Sequence, residues 1–231
     1  MQLTYFGHSA LRIRTGDTTI LVDPFITGNP LAEGVTTADE LEADVILITH
    51  AHGDHWGDTP SIAKRTGALV VANFEITEYL RRRHGHENVL GMNTGGSAQF
   101  PWGRITQTHA RHSSSFPDGT YGGNPCGYLL ENGGRCIYAS GDTAPFAEMA
   151  WIGEENDLAV ALLPVGDNFT MGPQSSLRAI RMLNPAVVVP THYNTFPPIR
   201  IDVEAWSRLV HDRGFVPRVL EPGETMTVET D

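Results

Sequence analysis

Apolar residues along this chain fall into short runs, most of them too brief for a helical stripe. Residues 3–6, 10–13, 19–22, 45–48, 69–71, 105–108, 127–130, 136–139, 158–163 and 186–189 are rich in Val, Ile, Leu and other apolar side chains and have turn-rich flanks. Runs of that length between turn residues predict buried β-strands. Helical spacing shows elsewhere. Val203, Trp206, Leu209 and Val210 recur on one face behind Asp202, an N-cap, with Gly214 as the stop. A second helix opens at Pro173, runs through Leu177, Ile180 and Leu183, and is closed by Asn184 and Pro185. A weaker one covers residues 74–83, with Arg81, Arg82 and Arg83 on its solvated face.

The order is strand-rich at first and mixed later, with no repeat, no low-complexity linker and no shift of composition. This predicts one domain spanning residues 1–231, in which two sheets pack face to face with helices outside. At 40% hydrophobic residues the chain can bury a core that needs no disulfides. Cys126 and Cys136 match no zinc or redox spacing and are expected to be buried small hydrophobes. The N-terminus lacks the apolar stretch of a secretory signal, and the run 158–163 is far too short to span a bilayer. A cytoplasmic protein without a membrane partner is the expectation.

Charge narrows the partners further. Lys and Arg number 16 against 27 Asp and Glu, a formal net charge of −11. Phosphate backbones are bound by clustered cations, so a nucleic-acid partner is not expected. The same chain holds 10 His beside a single lysine, Lys64. Histidine is the commonest metal ligand and a general base near neutral pH, so its positions matter most.

Directly after the run 45–48 comes His50-Ala51-His52-Gly53-Asp54-His55, an H-x-H-x-D-H pattern. A random chain of this composition would contain it roughly once in a thousand cases. Imidazole and carboxylate together suit divalent ions, and a turn can aim alternate side chains at two of them. Gly53 is expected to supply the tight backbone of that turn. Three more candidates follow the ends of three more predicted strands: His112, Asp142 and His192. One rim of the sheets could therefore gather them all. His109, three residues before His112, competes for the same place.

The chain now resembles a known family. The motif at 50–55, a later His, Gly-Asp-Thr and Pro-Thr-His are similar to the metallo-β-lactamase superfamily. Residues 5–9 (YFGHS), 22–25 (VDPF), 110–114 (ARHSS), 140–143 and 191–196 (THYNTF) extend the likeness over nearly the whole chain. They resemble its small metal-dependent hydrolase branch, related to the bacterial ascorbate-6-phosphate lactonase. The resemblance implies an α/β (α+β) fold, a four-layer αββα sandwich with two divalent metal ions at one edge. His50, His52 and His112 would hold one ion, Asp54, His55 and His192 the other, and Asp142 would bridge them. Zinc is the default, with manganese or iron also suited to such donors. Asp54 would act as metal ligand first and proton shuttle second.

The resemblance also places His8 and Asp23 near the metal edge. His8 would contact substrate and Asp23 would orient a ligand imidazole; alternatively, both sit in plain turns. Tyr193 and Asn194 would bond substrate or merely shape their loop. The implied activity is hydrolysis of a small ester, lactone or phosphoester by a hydroxide shared between the ions. Two other classes stay open: a phosphodiesterase or nuclease, and a non-catalytic metal-binding module. The partner is expected to be a small molecule, and assembly into a homo-oligomer is a further expectation. No Gly-x-Ser-x-Gly elbow supports a serine hydrolase.

Overall fold

A computed structural model describes residues 1–229; the last two residues of the expected domain, 230 and 231, lie outside the described residues. The chain opens with strands β1 (Gln2–Tyr5), β2 (Leu11–Thr15), β3 (Thr18–Val22) and β4 (Val45–Leu47). Helices α1 (Gly53–Trp56) and α2 (Thr59–Thr66), strand β5 (Leu69–Asn73) and helix α3 (Phe74–His84) follow. Next come β6 (Val89–Met92), β7 (Ser97–Phe100), β8 (Gly103–His109), β9 (Cys126–Asn132) and β10 (Arg135–Ala139). The chain ends through α4 (Met149–Glu155), β11 (Leu158–Pro164), α5 (Pro173–Leu183), β12 (Val187–Thr191), α6 (Val203–His211) and β13 (Thr225–Thr227).

The strands form two sheets, ordered β13-β1-β2-β3-β4-β5-β6 and β12-β11-β10-β9-β8-β7. In each sheet antiparallel pairing at one end gives way to parallel pairing at the other. Side chains alternate between faces of a strand, and β4 shows what that does here. Val45 and Leu47 join the apolar layer between the sheets, with Ile13, Ile20, Tyr128 and Ile137. Ile46 and its neighbour Ile48 point the other way, onto Trp56, Ile62, Ile76 and Leu80 of α1, α2 and α3. The second sheet is covered by α4, α5 and α6 through Met149, Leu177, Ile180 and Trp206. This is the expected αββα sandwich.

Local chemistry accounts for the helices that the spacing predicts. Asp202 caps α6 by accepting from Ala205 N at 2.8 Å, and Trp206 Nε1 donates to Ser176 Oγ of α5 at 3.0 Å. α5 stops where Asn184 turns left-handed, at φ 45°. Asn73 caps α3 at Ile76 N, 2.9 Å away. Arg81 and Arg82 pair with Glu78 on the exposed face of α3. Among the described residues no helix is long and apolar enough to cross a membrane. Cys126 and Cys136 are free and buried, and burial pushes both thiols up to about 12, so they are inert packing.

Elements absent from the sequence reading are short or weakly patterned. β6 and β7 are half-exposed edge strands, and β13 is three residues of Thr-Met-Thr. α1 is a single turn built from the histidine motif itself.

Candidate metal centre

The site is built where strands end. His8 follows β1, Asp23 follows β3, the motif follows β4, His112 follows β8, Asp142 follows β10 and His192 follows β12. His8, Asp23 and His192 have left-handed backbones, with φ of 59°, 45° and 52°. That conformation costs a non-glycine residue free energy, and such residues gather where a site over-determines them. Here His192 N donates to His8 O at 2.8 Å, so two of the three brace each other.

The motif loop is tied to both sheets. Thr49 O accepts from Cys126 N at 3.0 Å, across the sandwich. Ser114 Oγ accepts from Ala51 N at 3.1 Å and donates to Gly122 O at 2.9 Å, clamping the loop that carries His112. His52 O accepts the first helical bonds of α1, from His55 and Trp56. Gly53 departs from expectation: it opens α1 without a left-handed backbone, and a Cβ there would meet only Pro117 Cγ at 3.4 Å. The glycine that the turn requires is Gly57, at φ 42°, where a Cβ would lie 2.5 Å from Phe25 Cα.

His50, His52 and His112 form one group, with donor atoms all within 4.8 Å of one another. Their rings stand nearly perpendicular in pairs, at 79°, 83° and 80°, like three faces of a corner. His50 Nε2 lies 3.0 Å from His52 Nδ1. Asp54, His55 and His192 form a second group, which His8 joins. Asp142 stands between the groups. Its Oδ2 is 3.0 Å from His192 Nε2, 3.3 Å from His55 Nε2, 3.6 Å from His112 Nε2 and 4.0 Å from His50 Nε2.

Hydrogen bonds behind the rings fix which nitrogen faces inward. Asp23 accepts from Thr49 N at 2.8 Å, from Thr49 Oγ1 at 2.6 Å and from His55 Nδ1 at 2.8 Å. Because the Thr49 hydroxyl proton is given to Asp23, its oxygen accepts from His50 Nδ1 at 3.1 Å. His50 and His55 therefore present Nε2 to the centre. His55 Nε2, His192 Nδ1 and Asp142 Oδ1 are buried with no hydrogen-bond partner. His55 Nε2 and His192 Nε2 converge on Asp142 Oδ2, and a buried carboxylate ringed by imidazole nitrogens is a donor set that fits divalent ions.

The proton affinities say the same. Burial works against a charge on His55, yet Asp142 and Asp23 overcome it and hold its pKa well above the ordinary value. His192 rises to about 9 in the same way, against burial and through Asp142 and then Asp54. Burial lowers His50, His52 and His112. Burial would raise Asp142 and Asp54, but the neighbouring imidazoles carry both below the ordinary carboxylate range. A proton held at His55 or His192 would compete with a divalent ion for the same nitrogen.

The remaining candidates divide. Asp23 sits where an orienting carboxylate should, on His55. His109 ends β8 in an exposed position, its ring 5.3 Å from Phe146, whereas His112 meets the candidate ligands His50 and His52. His8 departs from a substrate contact: it is fully buried and both ring nitrogens are engaged. Tyr193 is buried beneath the rim beside the Tyr5 hydroxyl, and burial first of all raises its own pKa to about 12. Asn194, at φ 58°, accepts from Ile201 N at 2.8 Å and donates its own N–H to Ile199 O. Both thus shape the loop. Thr49, Ser114 and Thr195 were not among the sequence candidates, although each lies within three residues of a candidate histidine ligand, the one signal that pointed to them.

A two-sheet sandwich carrying this histidine and aspartate edge defines a class. The family described as Beta-lactamase superfamily domain matches residues 2–192, and the chain belongs to it. Within that class it is 49% identical over 225 residues to a UPF0173 metal-dependent hydrolase of Salinibacter ruber, covering 97% of this chain and 99% of that protein. A UPF0173 metal-dependent hydrolase of Thermus thermophilus is also 49% identical, over 229 residues, 99% of this chain and 100% of that one. Among solved structures, Igni18, a metallo hydrolase from the archaeon Ignicoccus hospitalis, matches with a TM-score of 0.90 at 43% identity, over 100% of this chain and 99% of that one. The chain is a metal-dependent hydrolase of the metallo-β-lactamase fold.

Proposed function

We propose that this protein binds two divalent ions and hydrolyses a small ester, lactone or phosphoester. One observation carries the reading: Asp142 Oδ2 lies within 4.0 Å of imidazole nitrogens from both ligand groups, so one carboxylate joins two sites. His50, His52 and His112 would hold one ion and Asp54, His55 and His192 the other. Bound there, the pair supplies a nucleophile from water near neutral pH and Lewis acidity toward a carbonyl or phosphoryl oxygen. The protein's own contribution is orientation. Asp23 and Thr49 hold His55 and His50 in the ligating tautomer, and Asp142 neutralises charge at the centre. Asp54 is 30% exposed, the most open of the carboxylates at the site, which suits it to move a proton to the leaving group.

Zinc is the first ion to test, with manganese and iron as the alternatives. Lactone is favoured over other esters by the family resemblance. The chain's acidity favours a small substrate over a nucleic acid, and the bound ions would attract an anionic group to an otherwise acidic protein. A cytoplasmic location fits the two thiols left free. Gel filtration reports whether copies of the chain assemble.

The test is metal analysis of purified protein followed by a panel of lactones, esters, thioesters and phosphodiesters with Zn, Mn and Fe. Hydrolysis that vanishes in Asp142→Ala supports the reading. Turnover confined to phosphodiesters would move the protein to the phosphodiesterase class. Two bound ions with no turnover of any substrate would leave a metal-binding module. No stoichiometric metal, and no activity restored by adding any, would sink it.

A further inference from the structure

Asp54 is held differently from the other carboxylates of the site. Asp142 is buried among imidazoles and Asp23 accepts three hydrogen bonds, whereas Asp54 projects from the single turn of α1. Among the described residues, its shortest side-chain hydrogen bond comes from His8, whose Nε2 lies 3.0 Å from Asp54 Oδ2, with His192 Nε2 at 3.6 Å from the same oxygen. A carboxylate only accepts, so Nε2 carries the proton. Nδ1 is then an acceptor, and the Thr195 hydroxyl, 2.8 Å away, donates to it in preference to Tyr193 O at 3.3 Å. The chain Thr195 to His8 to Asp54 thus has a direction fixed by the charge at its end.

The His8 ring has nowhere else to go. Phe25 and Phe196 meet it edge-on at 5.7 and 5.6 Å, and the His192 ring lies at 4.2 Å. His8 lies close enough to His55 and His192 to be counted as a ligand itself. Ligation would need a lone pair on the nitrogen that already donates to Asp54.

We propose that His8 is a positioning residue for the Asp54, His55 and His192 group: its Nε2–H holds Asp54 Oδ2 and so fixes how the carboxylate is offered to the ion, with Thr195 holding the imidazole in the donating tautomer. The proposal rests on the two-ion reading above. It concerns one of the two groups only, since His50, His52 and His112 make no contact of this kind with His8.

The test is titration of the chelator-stripped full chain with Zn(II), and separately with Co(II), whose visible absorption reports coordination. In His8→Phe the first equivalent should bind as in the wild type and the second about 10- to 100-fold more weakly, the usual cost of losing a partner behind a ligand. His8→Gln, which restores an N–H at similar reach, should recover most of that loss. Thr195→Val should weaken the second equivalent less, and Thr195→Ser should restore it. Melting in chelator checks that each variant is folded; if His8→Phe is not, the Thr195 pair, which leaves His8 in place, decides. Equal weakening of both equivalents, no weakening, or no recovery in His8→Gln would overturn the proposal. So would a Co(II) spectrum of His8→Phe showing one protein ligand fewer, which would make His8 a ligand. A wild type that binds no ion overturns this proposal and the two-ion reading together; two ions bound with this asymmetry but no hydrolysis overturns only the hydrolase reading.

Discussion

Replacing Asp23 by Asn tests whether the site depends on the hydrogen bonds behind its imidazoles. The exchange conserves shape, and Asn is among the residues best suited to the left-handed φ of 45° at this position. What changes is the acceptor count. Asp23 accepts from Thr49 N, Thr49 Oγ1 and His55 Nδ1, the last two on the same oxygen, Oδ2. With the amide oxygen kept on Thr49 N, the amide nitrogen faces His55 Nδ1 and the Thr49 hydroxyl. His55 must then take the opposite tautomer, with a proton on Nε2 and no lone pair for an ion. Thr49 must turn its hydroxyl, which loosens His50 as well.

Loss of such a partner costs about 10- to 100-fold in metal affinity, or about 1.4–2.8 kcal/mol. Chelator competition should show that loss chiefly for the ion held by His55. Thr49→Val is the matched control, because it removes the hydroxyl that supports His50 and leaves the bond that His55 Nδ1 donates to Asp23 in place; it should weaken the other ion. In chelator, a buried group left unpaired in Asp23→Asn costs about 1–3 kcal/mol. For a chain of this size that lowers the melting temperature by roughly 2–12 °C. An Asp23→Asn protein that binds both ions with wild-type affinity refutes the argument, whatever its melting temperature.

Asp142→Ala should weaken both ions and abolish hydrolysis, since its Oδ2 approaches both groups; loss of only one ion in a two-equivalent titration would show that it serves one site. Trp206→Ala, in the helical layer over the second sheet, should cost about 3–5 kcal/mol in a denaturant melt through the buried indole and leave the metal stoichiometry at its wild-type value. Asp202→Ala removes the cap of α6 and should cost about 1 kcal/mol in the same melt. Metal uptake at pH 7 to 8 should release protons into a weakly buffered solution, because His55 and His192 must give theirs up; uptake without release would contradict their raised affinity.

The core was legible because burial writes itself into short apolar runs. Every run read as a strand is one, and Asp202, Pro173 and Asn184 mark their helices as capping chemistry requires. The gathering of the candidate ligands was legible for a different reason: each follows a strand end, so a sandwich brings them to one rim. What escaped depends on direction rather than spacing. No periodicity announces that Thr49 relays Asp23 to His50, that Gly57 and not Gly53 takes the tight turn, or that the His8 ring lies fully buried. The edge strands β6 and β7 escaped because half-exposed positions carry little hydrophobic signal.

Removing metal should make stability depend on pH in a way the loaded protein does not share. In the metal-free chain His192 has its pKa raised from an ordinary 6.5 to about 9, and His55 moves in the same direction. A group that binds its proton more tightly when folded stabilises the fold fully below its unfolded pKa and loses that contribution as pH rises through the folded value. His8 works oppositely: burial lowers it to about 4, so acid below 6.5 favours the unfolded chain. Asp54 and Asp142, both depressed, add to the acid-side loss only once the pH nears the ordinary carboxylate range. Between 6.5 and 9, therefore, the raised histidines dominate and the metal-free melting temperature should fall as pH rises. Bound ions replace those protons and their affinity grows with pH, so the loaded protein should hold its melting temperature over the same interval. Parallel melts from pH 6.5 to 9, with chelator and with Zn(II), decide it: two curves that run together would mean the protons on His55 and His192 do not occupy the metal positions.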